Sequence, residues 1–371
     1  MLFSLEALRA KHGDSLLLHY GDPEEPRLIV IDGGPSGVYK DALKPRLEEL
    51  RDEAGGKLTI EILMISHLDS DHVRGVLDFS RDLLKKPAMQ AQYKVKTLWQ
   101  NAFDDVVEGA ADPAEAAEAG AVPAELEATV ASVNEGRQLR DNAEELEWKP
   151  NKGFDRFVLA PGDEGVVIDL DPLRLTVVGP RQEELDALRV AWAKEVKKLK
   201  KAKPAEAAKI AAYLDDSVYN LSSIVCIAEL GDRRMLLTGD ARGDKILASL
   251  KAGGFLNREG KMELDLLKVP HHGSSRNLDP DFFKRLPARH LVISANGDYG
   301  NPDVETLEMI SEARGKDEFT LHLTETEFKD EMGPKITKFL ADDRKRGCRY
   351  EVSFRSKEKL SLRVDLPDPA A

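Results

Sequence analysis

The stretch Leu58-Thr59-Ile60-Glu61-Ile62-Leu63-Met64-Ile65-Ser66-His67-Leu68-Asp69-Ser70-Asp71-His72 runs an apolar segment directly into four potential metal ligands. The apolar half predicts a buried strand over Leu58–Ile65. Two imidazoles (His67, His72) and two carboxylates (Asp69, Asp71) follow within six positions. Burying unpaired carboxylates costs several kcal/mol each, and a divalent cation is the usual compensation. A strand that delivers these groups to one point therefore predicts a metal centre.

The chain around this stretch is that of an ordinary globular protein. Its 371 residues can bury a large core, and one domain over 1–371 is expected. It contains no run of about 18 uncharged apolar residues, so no membrane span is expected. The opening MLFSLEALRAKHGDS has no basic start leading into an apolar segment, so no secretory signal is expected either. Of the two cysteines, Cys226 lies in the apolar pattern SSIVCIAEL and reads as a small buried thiol; with Cys348 the usage fits a reducing cytoplasm. The net charge of −13, from 54 Lys+Arg against 67 Asp+Glu, is the reverse of a duplex-coating protein. Bound cations would add positive charge that this count omits.

Strand-like runs recur at Leu2–Leu8, Ser15–Tyr20, Arg27–Ile31, Leu58–Ile65, Val95–Trp99, Val166–Leu170, Leu173–Val178, Ser222–Leu230, Arg233–Leu237, Leu264–Val269, Leu291–Ser294, Phe319–Leu323, Arg349–Phe354 and Leu360–Val364. Helical spacing falls between many of them, as at Lys40–Glu53, Val73–Lys85, Gly243–Leu250, Asp303–Ala313 and Lys335–Asp343. The class is α/β, with helices outside a sandwich of strands. Two segments read as helical insertions, about 110–147 and 181–214. The first is rich in Ala and Glu and is expected to be exposed. The second carries Leu185, Leu188, Trp192, Val196 and Leu199 on one stripe and ends in a lysine cluster, Lys197 to Lys203, most simply a solvated face.

His67-x-Asp69-x-Asp71-His72 resembles the metal-binding signature of the metallo-β-lactamase superfamily, usually written HxHxDH, with Asp69 in place of the second histidine. The likeness continues in order along the chain. Leu28-Ile29-Val30-Ile31-Asp32-Gly33-Gly34 is similar to the first motif, whose aspartate orients a ligating histidine. Leu236-Leu237-Thr238-Gly239-Asp240 is similar to the fourth, whose aspartate bridges two metals, and Val269-Pro270-His271-His272-Gly273-Ser274 to the fifth, which supplies the last histidine. This implies an αββα sandwich and two divalent cations. One would be held by His67, Asp69 and Asp240, the other by Asp71, His72, Asp240 and His271, with Asp32 behind the ligands. So many carboxylates make a hard donor set, in which manganese or iron competes with zinc.

No histidine lies between Val73 and Thr238, where the superfamily usually has its third-motif histidine; Asn220-Leu221-Ser222-Ser223 stands there instead. With HxDxDH and PHHGS, this resembles the hydrolase domain of bacterial DNA-uptake (competence) proteins and their soluble relatives. That subgroup usually has histidine where Asn301 stands. The resemblance implies a metal-dependent phosphodiesterase or nuclease acting on DNA or RNA. Asp71 would lie at the attacking water and His272 would be a general acid or a further ligand. Asn220, Ser222, Ser274, Ser275 and Asn301 would contact the substrate. Two other readings compete: a hydrolase of a lactone, β-lactam or thioester, which suits the acidic surface, and a metal-stabilised interaction module binding a protein partner through the inserted helices. His12 reads as a turn residue that can approach the site. His19, His290 and His322 read as structural histidines without partners, and Trp99, Trp148 and Trp192 as packing residues.

Overall fold

The computed structural model describes residues 1–101, 124–199, 219–329 and 331–368. Among them are two eight-stranded sheets. The first is built from β1 (Leu2–Leu8), β2 (Leu16–Asp22), β3 (Glu25–Ile31), β4 (Leu58–Met64), β5 (Tyr93–Val95), β6 (Thr97–Trp99), β7 (Lys149–Pro150) and the last strand, β16 (Ser361–Asp365). Its order is β16-β1-β2-β3-β4-β6-β7, with β5 also paired to β4. The second contains β8 (Val166–Asp169), β9 (Arg174–Gly179), β10 (Val225–Leu230), β11 (Arg233–Leu237), β12 (Leu264–Lys268), β13 (Ala288–Ile293), β14 (Thr320–Leu323) and β15 (Glu351–Phe354), in the order β15-β14-β13-β12-β11-β10-β9-β8.

In each sheet an antiparallel part meets a parallel part. β3, β4 and β6 run parallel in the first, and β11 to β15 in the second. Loops leaving the carboxyl ends of neighbouring parallel strands emerge on one side, which is where open α/β sheets build their sites.

Alternation along the strands sorts three hydrophobic clusters. One draws on both sheets, with Phe3, Leu5, Leu18, Ile29, Ile62 and Met64 meeting Leu175, Cys226, Met235, Leu237 and Val292. The opposite face of the first sheet packs against helices α1 (Lys44–Glu53), α2 (Ser70–Lys85), α3 (Ala124–Glu145) and α4 (Gln182–Leu199), through residues such as Leu47, Val76, Val133 and Leu185. The second sheet is covered in the same way by α5 (Gly243–Ala252), α6 (Pro280–Arg285), α7 (Val304–Arg314) and α8 (Met332–Lys345), through Ile246, Phe282, Leu307 and Ile336. No helix among the described residues is long and apolar enough to cross a membrane.

Every strand expected from the sequence is present, Leu2–Leu8 and Arg233–Leu237 with the expected bounds and the others with shifted ends. The run Val95–Trp99 is interrupted at Lys96, whose ammonium turns aside to Glu61 at 2.7 Å. β7 has no apolar signal of its own. Helix α2 begins at Ser70, three residues before the apolar periodicity, so Asp71 and His72 lie in its first turn and Asp69 occupies the N-cap position. Carboxylates are favoured there by the helix dipole.

Residues 110–123 of the first insertion lie outside the described residues, and the described remainder departs from its expected exposure. Val133 and Leu139 on α3 are fully buried. Glu135 accepts hydrogen bonds from Ser70 Oγ and Arg74 Nη1, both at 2.7 Å. At Gly136 an added Cβ would stand 2.8 Å from a Leu68 methyl. Small residues let this helix lie close to the metal-ligand loop, so a low count of large apolar residues does not mean an exposed helix. In the second insertion Leu185 and Leu188 are buried as expected. Residues 200–214 and the side chains of Trp192, Val196 to Leu199 and the lysine cluster lie outside the described residues.

Candidate metal centre

Four strand ends converge. Asp32 follows β3, Ser66-His67 follow β4 and lead into α2, Asp240 follows β11, and His271-His272 follow β12. Close backbone crossings lock these loops. A Cβ on Gly75 would meet Gly33 O at 1.9 Å, and one on Gly13 would meet Asp71 O at 2.0 Å. Asp32, His271 and His272 adopt left-handed backbone, with φ of 60°, 49° and 52°. For residues other than glycine this is strained, and such strain concentrates at functional sites.

Asp240 Oδ2 is the hub. His272 Nε2 lies 3.2 Å from it, His72 Nε2 3.5 Å, His271 Nε2 3.8 Å and His67 Nε2 3.9 Å. Asp69 Oδ2 is 3.1 Å from His67 Nε2, and Asp71 Oδ2 is 3.4 Å from His272 Nε2. All six expected ligands are thus gathered, and His272 stands deeper among them than His271.

Hydrogen bonds fix the tautomers. His72 Nδ1 lies 2.8 Å from Asp32 Oδ2, and His272 Nδ1 lies 3.1 Å from the Ser294 carbonyl, so both Nδ1 atoms donate. Asp32 is held in turn by Ser66, whose N–H and Oγ donate at 2.7 and 2.6 Å. Both rings then aim Nε2 into the centre, where the two Nε2 atoms stand 3.2 Å apart. His271 is the reverse. The amide nitrogens of Asn220 and Asn277 each stand 3.4 Å from its Nδ1, which leaves the ring proton on Nε2.

Burial opposes charge on His72 and His272, yet their carboxylate neighbours (Asp240 and Asp71 for one, Asp240 and Asp14 for the other) hold both pKa values well above the ordinary range. Burial, followed by repulsion from His72, pushes His67 down to about 3. Asp240 is buried too, but the surrounding imidazoles hold its carboxyl well below the usual range. Two Nε2 atoms facing at 3.2 Å, a buried Asp240 Oδ1 without a hydrogen-bond partner among the described residues, and this demand for positive charge all fit divalent cations.

Sequence reasoning missed Asp14 and Lys268. Both are fully buried, with Lys268 Nζ 2.6 Å from Asp14 Oδ2. Asp14 Oδ1 lies 3.6 Å from His272 Nδ1. Asp14, His72, Asp240 and His272 each offer a ligand atom within 4.8 Å of the others. The available signal was an aspartate placed between Gly13 and the apolar strand at Leu16, beside the histidine that drew attention instead.

The centre opens into a cleft of about 380 Å³ lined by His12, Asp69, Ser70, Asp71, Ser132, Asp240, His271, His272, Ser274, Arg276, Tyr299, Asn301 and Asp303. Of the expected substrate contacts, Ser274 and Asn301 face it. Ser275 does not line it; its N–H and Oγ are both committed to Asp303 Oδ2, at 2.7 and 2.8 Å. Asn220 sits beside His271, and Ser222 is buried outside the lining. His12 both belongs to a turn and lines the cleft. The histidines expected to lack partners have them: His19 Nε2 meets Glu6 Oε2 at 2.8 Å, and His290 Nδ1 meets His322 Nε2 at 3.0 Å. Trp99 and Trp148 are buried packing residues.

Asp32 and the His67–His72 cluster leave two neighbouring parallel strands of the first sheet, and Asp240 and His272 leave two of the second. Residues 24–213 match the metallo-beta-lactamase superfamily, and the chain belongs to that superfamily. The match takes in Asp32 and the His67–His72 segment; Asp240 and His272 join through the geometry. No curated protein matches the chain. Superfamily and buried Asp/His cluster together fit a metal-dependent hydrolase that binds divalent metal.

Proposed function

We propose that this protein is a cytoplasmic phosphodiesterase acting on DNA or RNA, an αββα-sandwich relative of the hydrolase domain of bacterial DNA-uptake proteins. The donor set carries the reading. Asp69, Asp71 and Asp240 crowd the histidines, a harder environment than a histidine-rich zinc site and one suited to manganese, iron or zinc beside phosphate oxygens. Two such cations, held by His67, Asp69 and Asp240 and by Asp71, His72, Asp240 and His272, would supply a nucleophile from water and positive charge for the phosphate.

The protein's own groups divide the remaining work. Asp71, one-quarter exposed on the cleft, orients the attacking water. Asp32 holds His72 in its ligating tautomer. His272, expected either as a general acid or as a further ligand, has its Nε2 turned inward and joins the ligands. His271 keeps its proton on Nε2 at the cleft and donates a hydrogen bond from it to the leaving oxygen, which takes its proton from solvent water. Ser274, Asn301 and Arg276 line the space for the phosphodiester.

The test is metal analysis of anaerobically purified protein, followed by assays with each metal found. Bis-p-nitrophenyl phosphate is expected to be hydrolysed, while nitrocefin and simple lactones are not. Turnover of nitrocefin or a lactone without any phosphodiester cleavage would overturn the reading.

A further inference from the structure

Among the described residues, the protein side chains of the cleft offer a polyanion little positive charge. Among the described residues that line it, Arg276 is the one guanidinium or ammonium group, against the carboxylates of Asp69, Asp71, Asp240 and Asp303. Bound cations would place positive charge at the centre, beside Asp69, Asp71 and Asp240, and leave Arg276 against Asp303 among the other charged lining residues described. Affinity for a nucleic acid strand normally comes from phosphate neutralisation, supplemented in single-strand binders by aromatic stacking. A neutral recognition element is therefore to be expected on this rim.

Tyr299 has the form of one. Its side chain lines the cleft and is 86% exposed, the most exposed of the large hydrophobic residues among those described. Its backbone is left-handed, with φ of 57°, in the short turn Asp298–Gly300. An aromatic residue there is strained, and a ring so exposed contributes little burial in return. The turn is nevertheless firmly built. Asp298 Oδ2 accepts from Lys329 Nζ at 2.7 Å and from Asn296 Nδ2 at 3.0 Å, and its N–H donates to Asn296 Oδ1 at 3.0 Å. His12 packs edge-on to the Tyr299 ring at 5.2 Å and 84°, and its Nδ1 stands 3.4 Å from Asp298 Oδ2. A strained, braced and solvent-facing ring at a catalytic rim is a surface prepared for another ring.

We propose that Tyr299 is a stacking platform for an unpaired base next to the scissile phosphate, so that the substrate is single-stranded nucleic acid. This rests on the phosphodiesterase reading. A base within a continuous duplex has no free face to offer, whereas every base of a single strand has one.

The experiment compares kcat/KM for a single-stranded DNA oligonucleotide, the same sequence as duplex, and an oligomer of abasic sites with the same number of phosphates. The wild type is expected to favour the base-bearing single strand over both others. Tyr299→Ala should lower the ratio of base-bearing to abasic kcat/KM by about tenfold, and Tyr299→Phe and Tyr299→Trp should keep it. An unchanged ratio in Tyr299→Ala, with the wild type active, overturns the stacking role alone. Equal losses in Tyr299→Phe and Tyr299→Ala also overturn it, by making the hydroxyl the functional group. A wild type that cleaves none of the three with any divalent metal sinks the phosphodiesterase reading and this inference with it.

Discussion

Asp32 and Asp14 stand at the ends of neighbouring strands, each beside one of two imidazoles that meet Nε2 to Nε2, yet their charges are handled differently. Asp32 sits in a cage of hydrogen bonds from Ser66 N–H, Ser66 Oγ and His72 Nδ1. Asp14 lies against a buried ammonium, Lys268 Nζ at 2.6 Å, and is 3.6 Å from His272 Nδ1, which donates to the Ser294 carbonyl instead. The charge of Asp32 is thus spent on His72, whereas Lys268 largely cancels that of Asp14. One half of the centre is held by local hydrogen bonds and the other by a buried ion pair.

The largest expected effect strikes both halves at once. Asp240 Oδ2 is within 4 Å of all four Nε2 atoms. Asp240→Asn should lower phosphodiester turnover by more than about 100-fold, beyond the usual loss from an outer partner, while circular dichroism shows an intact fold. Near-normal turnover in the folded variant would remove Asp240 from the centre. Next come the two orienting carboxylates. Asp32→Asn should weaken metal binding by about 10- to 100-fold, read by competition with a chromogenic chelator. Asp14→Asn should do the same if proximity to His272 matters as hydrogen bonding to His72 does. A normal affinity in Asp14→Asn alone would reduce Asp14 to a counter-ion for Lys268.

Stability separates the halves further. Lys268→Met leaves Asp14 buried and unpaired, and breaking such a pair costs about 3–5 kcal/mol. Ser66→Ala removes one hydroxyl donor but leaves the Ser66 N–H and His72 on Asp32, for about 1–2 kcal/mol. Urea denaturation should rank them in that order, and Asp14→Asn added to Lys268→Met should recover part of the loss. Equal costs would mean that the ion pair is as well solvated as the cage.

These contrasts also explain what could be read from the sequence. The Asp32 half was legible because its partners are carried by strand-end motifs, LIVIDGG and ISHLDSDH, whose apolar lead-ins announce burial. Asp14 was not, because its partners Lys268 and His272 are about 250 residues away and a lysine inside Leu-Lys-Val-Pro reads as exposed. Nothing local reveals that Lys268 is fully buried. The roles of His271 and His272 were open for a similar reason. Adjacent histidines differ only in what their Nδ1 atoms find, an amide nitrogen for one and a backbone carbonyl for the other. The strands and their order along the chain followed from alternation and apolar runs, while the docking of α3 depended on Gly136, a residue that reads as a helix weakener.

The smallest effect on turnover is expected from a third carboxylate–imidazole pair, which serves as a control. Glu6 and His19, 2.8 Å apart, are joined by Arg46 and Ser361 and take no part in the cleft. Burial alone would raise the Glu6 pKa, but His19, Arg46 and Ser361 bring it down from 4.5 to about 2. The folded-state pKa is depressed, so this contribution is complete above 4.5 and is lost as pH falls toward about 2. Its size is about 3 kcal/mol. Glu6→Gln should therefore keep wild-type kcat at neutral pH and lower the urea midpoint there. The gap between variant and wild type should close between pH 4.5 and about 2. Parallel stability curves across that window would show that Glu6 is not held as a buried anion. A fall in kcat at neutral pH would show instead that an imidazole–carboxylate pair outside the cleft still reaches the centre, and the distinction between positioning pairs and purely structural ones would fail.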